Sequence, residues 1–161
     1  MNPMKVLMVS PEYAGIAMTG GLGTAVTGLA RALQSAGHDV MVIVPSYRSP
    51  YEQEQLFSKF IQAKGVKKEG LQDIVEDAGV RVYLTPVPES IMSLTYSRPE
   101  IRDSAYRLED QRAFEASRAF SLGVPQFVEE MVQRDGWTPD IIHLHEWQVA
   151  SASQALKQNP R

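Results

Sequence analysis

Short apolar runs alternate with stretches of helical spacing along most of this chain. Lys5-Val6-Leu7-Met8-Val9-Ser10 is apolar through its centre and ends at Pro11, the pattern of a strand buried on both faces in a parallel sheet. After a loop from Pro11 to Thr19, Val26, Leu29, Ala30 and Leu33 recur at helical spacing until Gly37 supplies a stop. His38-Asp39 then opens a second apolar run, Val40 to Val44, closed by Pro45. Together these predict a β-α-β unit with a right-handed crossover, a Rossmann-like half motif.

The middle is less regular. Pro50 to Lys64 predicts a mostly polar helix with Leu56, Phe57, Phe60 and Ile61 on its apolar side, Lys64 to Asp77 reads as a polar hairpin or loop, and Val80-Arg81-Val82-Tyr83-Leu84 reads as a strand. Pro86 to Ser104 has three prolines and no period, which predicts a surface excursion open to ligand contacts. Ala113, Ser117, Phe120, Val124, Phe127 and Met131 mark one face of a helix from about Leu108 to Gln133, which Gly123 and Pro125 should bend or interrupt. Ile141 to His145 is a final strand, followed by a helical segment from about Gln148. The expected fold is one α/β domain over residues 1–161, a Rossmann-like open parallel sheet with helices on both faces.

Composition narrows the function classes. With 161 residues, 43% of them hydrophobic, the chain supports one domain with a real core. A net charge of -3 gives no basic face for nucleic acid. Cysteine is absent, which removes disulfides and thiolate chemistry. The apolar run from Val6 to Val9 is far shorter than a signal-peptide core or membrane span, so a cytoplasmic protein without membrane contact is expected.

Two strings carry the candidate chemistry, each at the predicted carboxyl end of a strand, where open α/β sheets place ligands. Met18-Thr19-Gly20-Gly21-Leu22-Gly23 joins a glycine turn to a helix start, which aims backbone N–H groups and a positive dipole end at an anion such as phosphate. An ordinary loop and helix start is the alternative reading. As a dinucleotide fingerprint the string is poor, because its third glycine position is Val26 and the second strand ends in Val44-Pro45-Ser46 without the acidic residue that binds ribose. Asp140-Ile141-Ile142-His143-Leu144-His145-Glu146-Trp147 brings imidazole, carboxylate and indole together. His143 and His145 point the same way from one strand, so a metal pair is conceivable, but Glu146 is the string's one further ligand candidate and no metal is expected; His143 reads as a core histidine that hydrogen-bonds locally. Glu146 and Trp147 lie past the strand, where they can hold sugar hydroxyls and stack on a pyranose face, or be a solvated carboxylate and a packing indole.

The combination resembles the glycogen and bacterial starch synthase family, whose strings read K-V-L-x-V-S-x-E, K-T-G-G-L-G-D-V and P-D-I-I-H-x-H-D-W. The matches are Lys5 to Glu12, Met18 to Val26 and Pro139 to Trp147, in the same order and at similar separation. The resemblance implies the N-terminal, acceptor-side half of a GT-B architecture, in which a retaining glucosyltransferase moves glucose from ADP-glucose or UDP-glucose to an α-1,4-glucan. It implies no cofactor, since the nucleotide sugar is a substrate. By the same likeness Thr19, Gly20, Gly21, His145, Glu146, Trp147 and Tyr96 would contact substrate, with Glu146 standing where the family has an aspartate near the transferred glucose.

Two departures fall on chemical positions. Met18 replaces the family's lysine and cannot neutralise a phosphate, and Glu146 is one methylene longer than the aspartate. The family's second domain, with the donor-binding groups, has no counterpart here, so the chain is expected to need that domain or a separate partner chain for catalysis. The competing reading is a non-catalytic glucan- or partner-binding domain derived from the family. The strand at Ile141 to His145 also offers an edge for self-association.

Overall fold

The opening apolar runs pair side by side. In a computed structural model, which describes residues 2–16, 18, 20–46, 66–69, 72–86 and 106–158, β1 (Lys5–Val9) lies parallel to β2 (Asp39–Ser46) with Lys5 opposite Asp39 and Val9 opposite Ile43. Helix α1 (Gly21–Ser35) makes the crossover between them. It starts at an extended Gly20, and the chain turns after it at Gly37, whose φ of 92° suits glycine. Its buried side is Gly23, Val26, Thr27 and Ala30, while Leu29, expected on the apolar face, is 37% exposed. The true face is turned away from Leu29 because small residues let the helix sit close to the sheet.

The sheet is mixed rather than purely parallel. β3 (Val66–Glu69), β4 (Gln72–Asp77) and β5 (Val80–Pro86) follow β2 in sequence, and the strand order is β3-β4-β5-β2-β1-β6. β5 runs parallel to β2, but β3–β4 and β4–β5 are antiparallel. The cause is local. Ala78 (φ 52°) and Gly79 (φ 83°) both adopt positive φ, the requirement of a two-residue hairpin turn, and such a turn joins only antiparallel strands.

Helix α2 (Tyr106–Asp135) crosses the opposite face, followed by β6 (Ile141–Leu144), a short 3-10 turn (Trp147–Val149) and α3 (Ser151–Gln158). α2 is one continuous helix through Gly123 and Pro125, so the expected interruption does not occur. Ser117, Phe120, Val124, Phe127 and Met131 are buried on either side of the proline, so sheet packing outweighs the one backbone hydrogen bond that proline removes. The expected helix at 50–64 and the excursion at 87–104 lie outside the described residues.

Two cores result, one on each face. Val6, Met8, Val40 and Val42 pack under Val26 and Ala30 of α1. Leu7, Val9, Met41 and Ile43 pack under Phe120, Val124 and Phe127 of α2 and Ala152 of α3. This alternation along fully apolar strands is what period-2 geometry requires of a sheet covered on both sides.

Candidate functional site

The sheet topology selects one crevice. From β1 the chain passes to α1 on one face, whereas from β6 it passes to the 3-10 turn and α3 on the other. β1 and β6 are parallel neighbours, Val6 opposite Ile141 and Val9 opposite Leu144. Their carboxyl ends therefore flank a topological switch point, the place where open α/β sheets bind ligands. Both candidate strings leave the sheet there, and the His145 N–H donates to the Val9 carbonyl at 3.0 Å to tie them together.

On the β1 side, the long loop into α1 is fixed by buried polar contacts. Ser10 Oγ accepts from the Glu12 N–H (3.1 Å) and donates to the Glu12 carbonyl (2.8 Å). Tyr13 Oη donates to Asp77 at 2.8 Å, and Arg31 donates to the same carboxylate oxygen from Nε and a terminal nitrogen at 2.9 and 2.7 Å. Burial, followed by the hydrogen bond to Asp77, raises the Tyr13 hydroxyl well above the usual phenol range. The Ala14 N–H donates to Thr27 Oγ1 at 2.9 Å. This scaffold delivers the glycine turn to the crevice.

Helix α1 has no side-chain cap of its own. The buried Glu12 carboxylate takes that part from eleven residues upstream, accepting the Gly23 N–H at 3.0 Å. The N–H groups of Gly20, Gly21 and Leu22 have no protein acceptor among the described residues. A Cβ at Gly20 or Gly21 would meet nothing within 4 Å, and neither glycine has a positive φ. Neither packing nor backbone geometry calls for glycine at these two positions, and its effect there is to leave the helix end open. Gly23 differs, since a Cβ there would sit 3.0 Å from Met18 Cγ and 3.4 Å from the Ala14 nitrogen. Met18 is thus folded over the first turn, with Sδ accepting from Thr24 Oγ1 at 3.4 Å, yet 53% of the residue is exposed.

On the β6 side, Ile142 and Leu144 face the α2 core, so Ile141, His143 and His145 face the α1 side. His143, expected in the core, is exposed, and its ring centroid lies 4.1 Å from that of His145. The core expectation failed because β6 is at the sheet edge among the described residues and contributes nothing to the core under α1. His145 is half-buried and its Nε2 has no hydrogen-bond partner among the described residues. Burial, then the neighbouring His143, lowers its pKa to about 4, so the ring is neutral near pH 7. No group of three His, Cys, Asp or Glu suited to a metal ion occurs among the described residues.

Glu146 has φ 71° and ψ 168°, a region that is essentially glycine's own. That backbone throws the chain from β6 into the 3-10 turn and leaves Glu146 exposed, with Trp147 beside it 56% exposed. The carboxyl ends of β1 and β6 thus lead, on one side, to a helix start whose first N–H groups have no acceptor among the described residues and, on the other, to a neutral imidazole followed by an exposed carboxylate and indole. Thr19 and Tyr96 lie outside the described residues. The Glu12 cap and the Tyr13–Asp77–Arg31 anchor were missed from sequence, since they join residues 11 to 64 positions apart and leave no local pattern.

Comparison with known proteins identifies the family and its fold. The family model described as starch synthase catalytic domain matches residues 5–161. Glycogen synthase 2 of Geobacter sulfurreducens is 36% identical over 155 residues, covering 91% of this chain and 29% of that protein. Glycogen synthase of Photobacterium profundum is 29% identical over 166 residues, covering 97% of this chain and 30% of its own length. The catalytic domain of starch synthase IV from Arabidopsis thaliana, solved bound to ADP and acarbose, aligns with a TM-score of 0.66 at 25% identity over 97% of this chain and 30% of that one. The chain spans about 30% of the length of the relatives it matches.

Proposed function

Given that the chain belongs to the starch synthase catalytic domain family, we propose that it is the acceptor-side portion of a retaining glucosyltransferase that moves glucose from ADP-glucose or UDP-glucose to an α-1,4-glucan in the cytoplasm. The observation that carries this reading is the pairing, at one switch point, of an open helix N-terminus with the Glu146–Trp147 corner. The N–H groups of Gly20 and Gly21 would donate to donor phosphates, an interaction that strengthens as charge builds on the leaving group. Trp147 would stack on a sugar face and Glu146 would accept from its hydroxyls. The remaining donor contacts fall to the part of the relatives that this chain does not cover.

A second reading, a glucan-binding domain without chemistry, is favoured by one observation: Met18 places an apolar side chain over the helix start where the resemblance leads one to expect a cation. Losing such a cation would cost a few kcal/mol of transition-state stabilisation, on the order of a hundredfold in rate. The deciding experiment joins this chain to the uncovered remainder of the Geobacter glycogen synthase 2 and measures labelled glucose transfer from each nucleotide sugar to glycogen, with and without Met18→Lys. Transfer in either version supports the enzyme reading. Transfer in neither, together with saturable maltoheptaose binding by the chain alone, supports the binding domain.

A further inference from the structure

The chain holds three histidines and no cysteine. His38 is already engaged at the amino end of the sheet, where it is buried and its Nδ1 accepts the Met4 N–H at 3.1 Å. The other two belong to the carboxyl end. His143 lies in β6 and His145 just past it, and their spacing of two turns both side chains to one side of the strand. The structure brings the rings together, with centroids 4.1 Å apart and planes inclined by 34°.

Placement makes this pair reachable. β6 is at the sheet edge among the described residues and contributes nothing to the core under α1, so His143 is exposed rather than sealed in. His145 is half-buried, and its Nε2 has no hydrogen-bond partner among the described residues. A polar atom withdrawn from water without a partner is unfavourable until something binds it. Because the His145 ring is neutral near pH 7, one of its nitrogens carries a lone pair to give.

Neutral imidazole is a ligand for zinc, copper and nickel, whereas magnesium and calcium take oxygen. With metal–nitrogen bonds of about 2.0–2.1 Å, two imidazoles on one ion at right-angled to tetrahedral bond angles have centroids roughly 4.5–5 Å apart. The observed 4.1 Å is slightly closer, and a small rotation of the exposed His143 ring opens the pair to that spacing. We propose that His143 and His145 form a two-imidazole site for a late first-row divalent metal ion, such as zinc. Water completes the coordination, since no set of three His, Asp or Glu side chains suited to a metal occurs among the described residues. The proposal rests on imidazole geometry and not on what the crevice binds.

Calorimetric titration of the tag-free chain with Zn2+ at neutral pH tests it. One saturable site per chain is expected, weakened about tenfold or more in His143→Asn and in His145→Asn, as the loss of one of two ligands requires. No saturation overturns the proposal, and so does equal affinity in the variants, which would place the ion on carboxylates. Mg2+ should give no saturable heat, and a Mg2+ site as tight as the Zn2+ site overturns the proposal as well, because it would mark attraction by charge alone. Pulsed electron-spin resonance of the native chain with one equivalent of Cu2+ needs no variant to fold: two coordinated imidazoles are expected, and one or none overturns the proposal. None of these readouts involves a sugar or nucleotide, so their failure leaves the glucosyltransferase reading standing.

Discussion

Glu146 is the residue whose backbone and side chain are in conflict, and the conflict is measurable. A non-glycine residue in its φ/ψ region costs on the order of 1–3 kcal/mol, held in place by the strand before it and the turned helix after it. Glu146→Gly relieves that strain and Glu146→Ala does not, so urea denaturation should find the glycine variant more stable than the alanine variant by about 1 kcal/mol. Equal stabilities would mean the corner is not strained. His145 makes a prediction of a different kind. Its pKa is lowered from 6.5 to about 4 in the fold, so the unfolded chain binds the proton first. The stabilisation is complete above about 6.5 and is lost as pH falls toward 4. Because the ring is only half-buried, screening reduces the effect to on the order of 1–2 kcal/mol. Denaturation midpoints of the native chain should therefore fall more steeply over that window than those of His145→Gln, and parallel curves would remove His145 as the source.

At the level of elements, α1 shows what the sequence makes legible and what it hides. Its existence, its start at the glycines and its stop at Gly37 follow from periodicity and punctuation, as do β1, β2, β5, β6 and most of α2. Its buried face follows only in part: Val26 and Ala30 lie on it as expected, but Gly23 and Thr27 are buried for their small size rather than their hydrophobicity, while the larger Leu29 is left outside. The antiparallel hairpin of β4 and β5 turns on positive φ at an alanine, which residue type alone does not announce. The candidate crevice was visible as two strings, yet the groups that hold it open, Glu12 under Gly23 and Asp77 between Tyr13 and Arg31, are long-range contacts with no periodic trace. The glycines of α1 separate by cause. A methyl group at Gly28 would meet nothing within 4 Å and the position is ordinary helix, so Gly28→Ala should stabilise by about 0.5–1 kcal/mol. Gly23→Ala drives a methyl against Met18 and the Ala14 backbone and should cost about 1–3 kcal/mol. Thermal melts of the two variants should move in opposite directions, and a shift of the same sign in both would contradict the packing described here.

Across the whole molecule, the two ends of the sheet divide the labour between holding the fold and presenting a surface. At the amino end the buried Trp137 donates from Nε1 to Asp39 at 2.6 Å, Arg81 pairs with the other oxygen of the same carboxylate at 2.7 Å, and the guanidinium sits 5.9 Å from the indole ring. The Met4 N–H donates to His38 Nδ1 at 3.1 Å, and the Lys5 N–H to Asp140 at 2.7 Å, so the chain ends of β1, β2 and β6 are bound to one another. At the carboxyl end the first N–H groups of α1 have no acceptor among the described residues, and Glu146 and Trp147 are exposed. Stability and recognition should therefore be separable by mutation. Trp137→Phe removes the indole donor and leaves a carboxylate oxygen without it, which should lower the stability by about 1–3 kcal/mol. Trp147→Ala removes an exposed ring and should change stability by no more than about 0.5 kcal/mol. A ligand that binds only the folded chain raises the melting temperature in proportion to the logarithm of its saturation, so maltoheptaose titration reads the other half of the comparison. Trp137→Phe should melt lower and still gain the full ligand-induced shift, whereas Trp147→Ala should melt like the native chain and gain little or none. If instead both variants lose the shift in step with their stability, the outward-facing corner is not where the glucan binds.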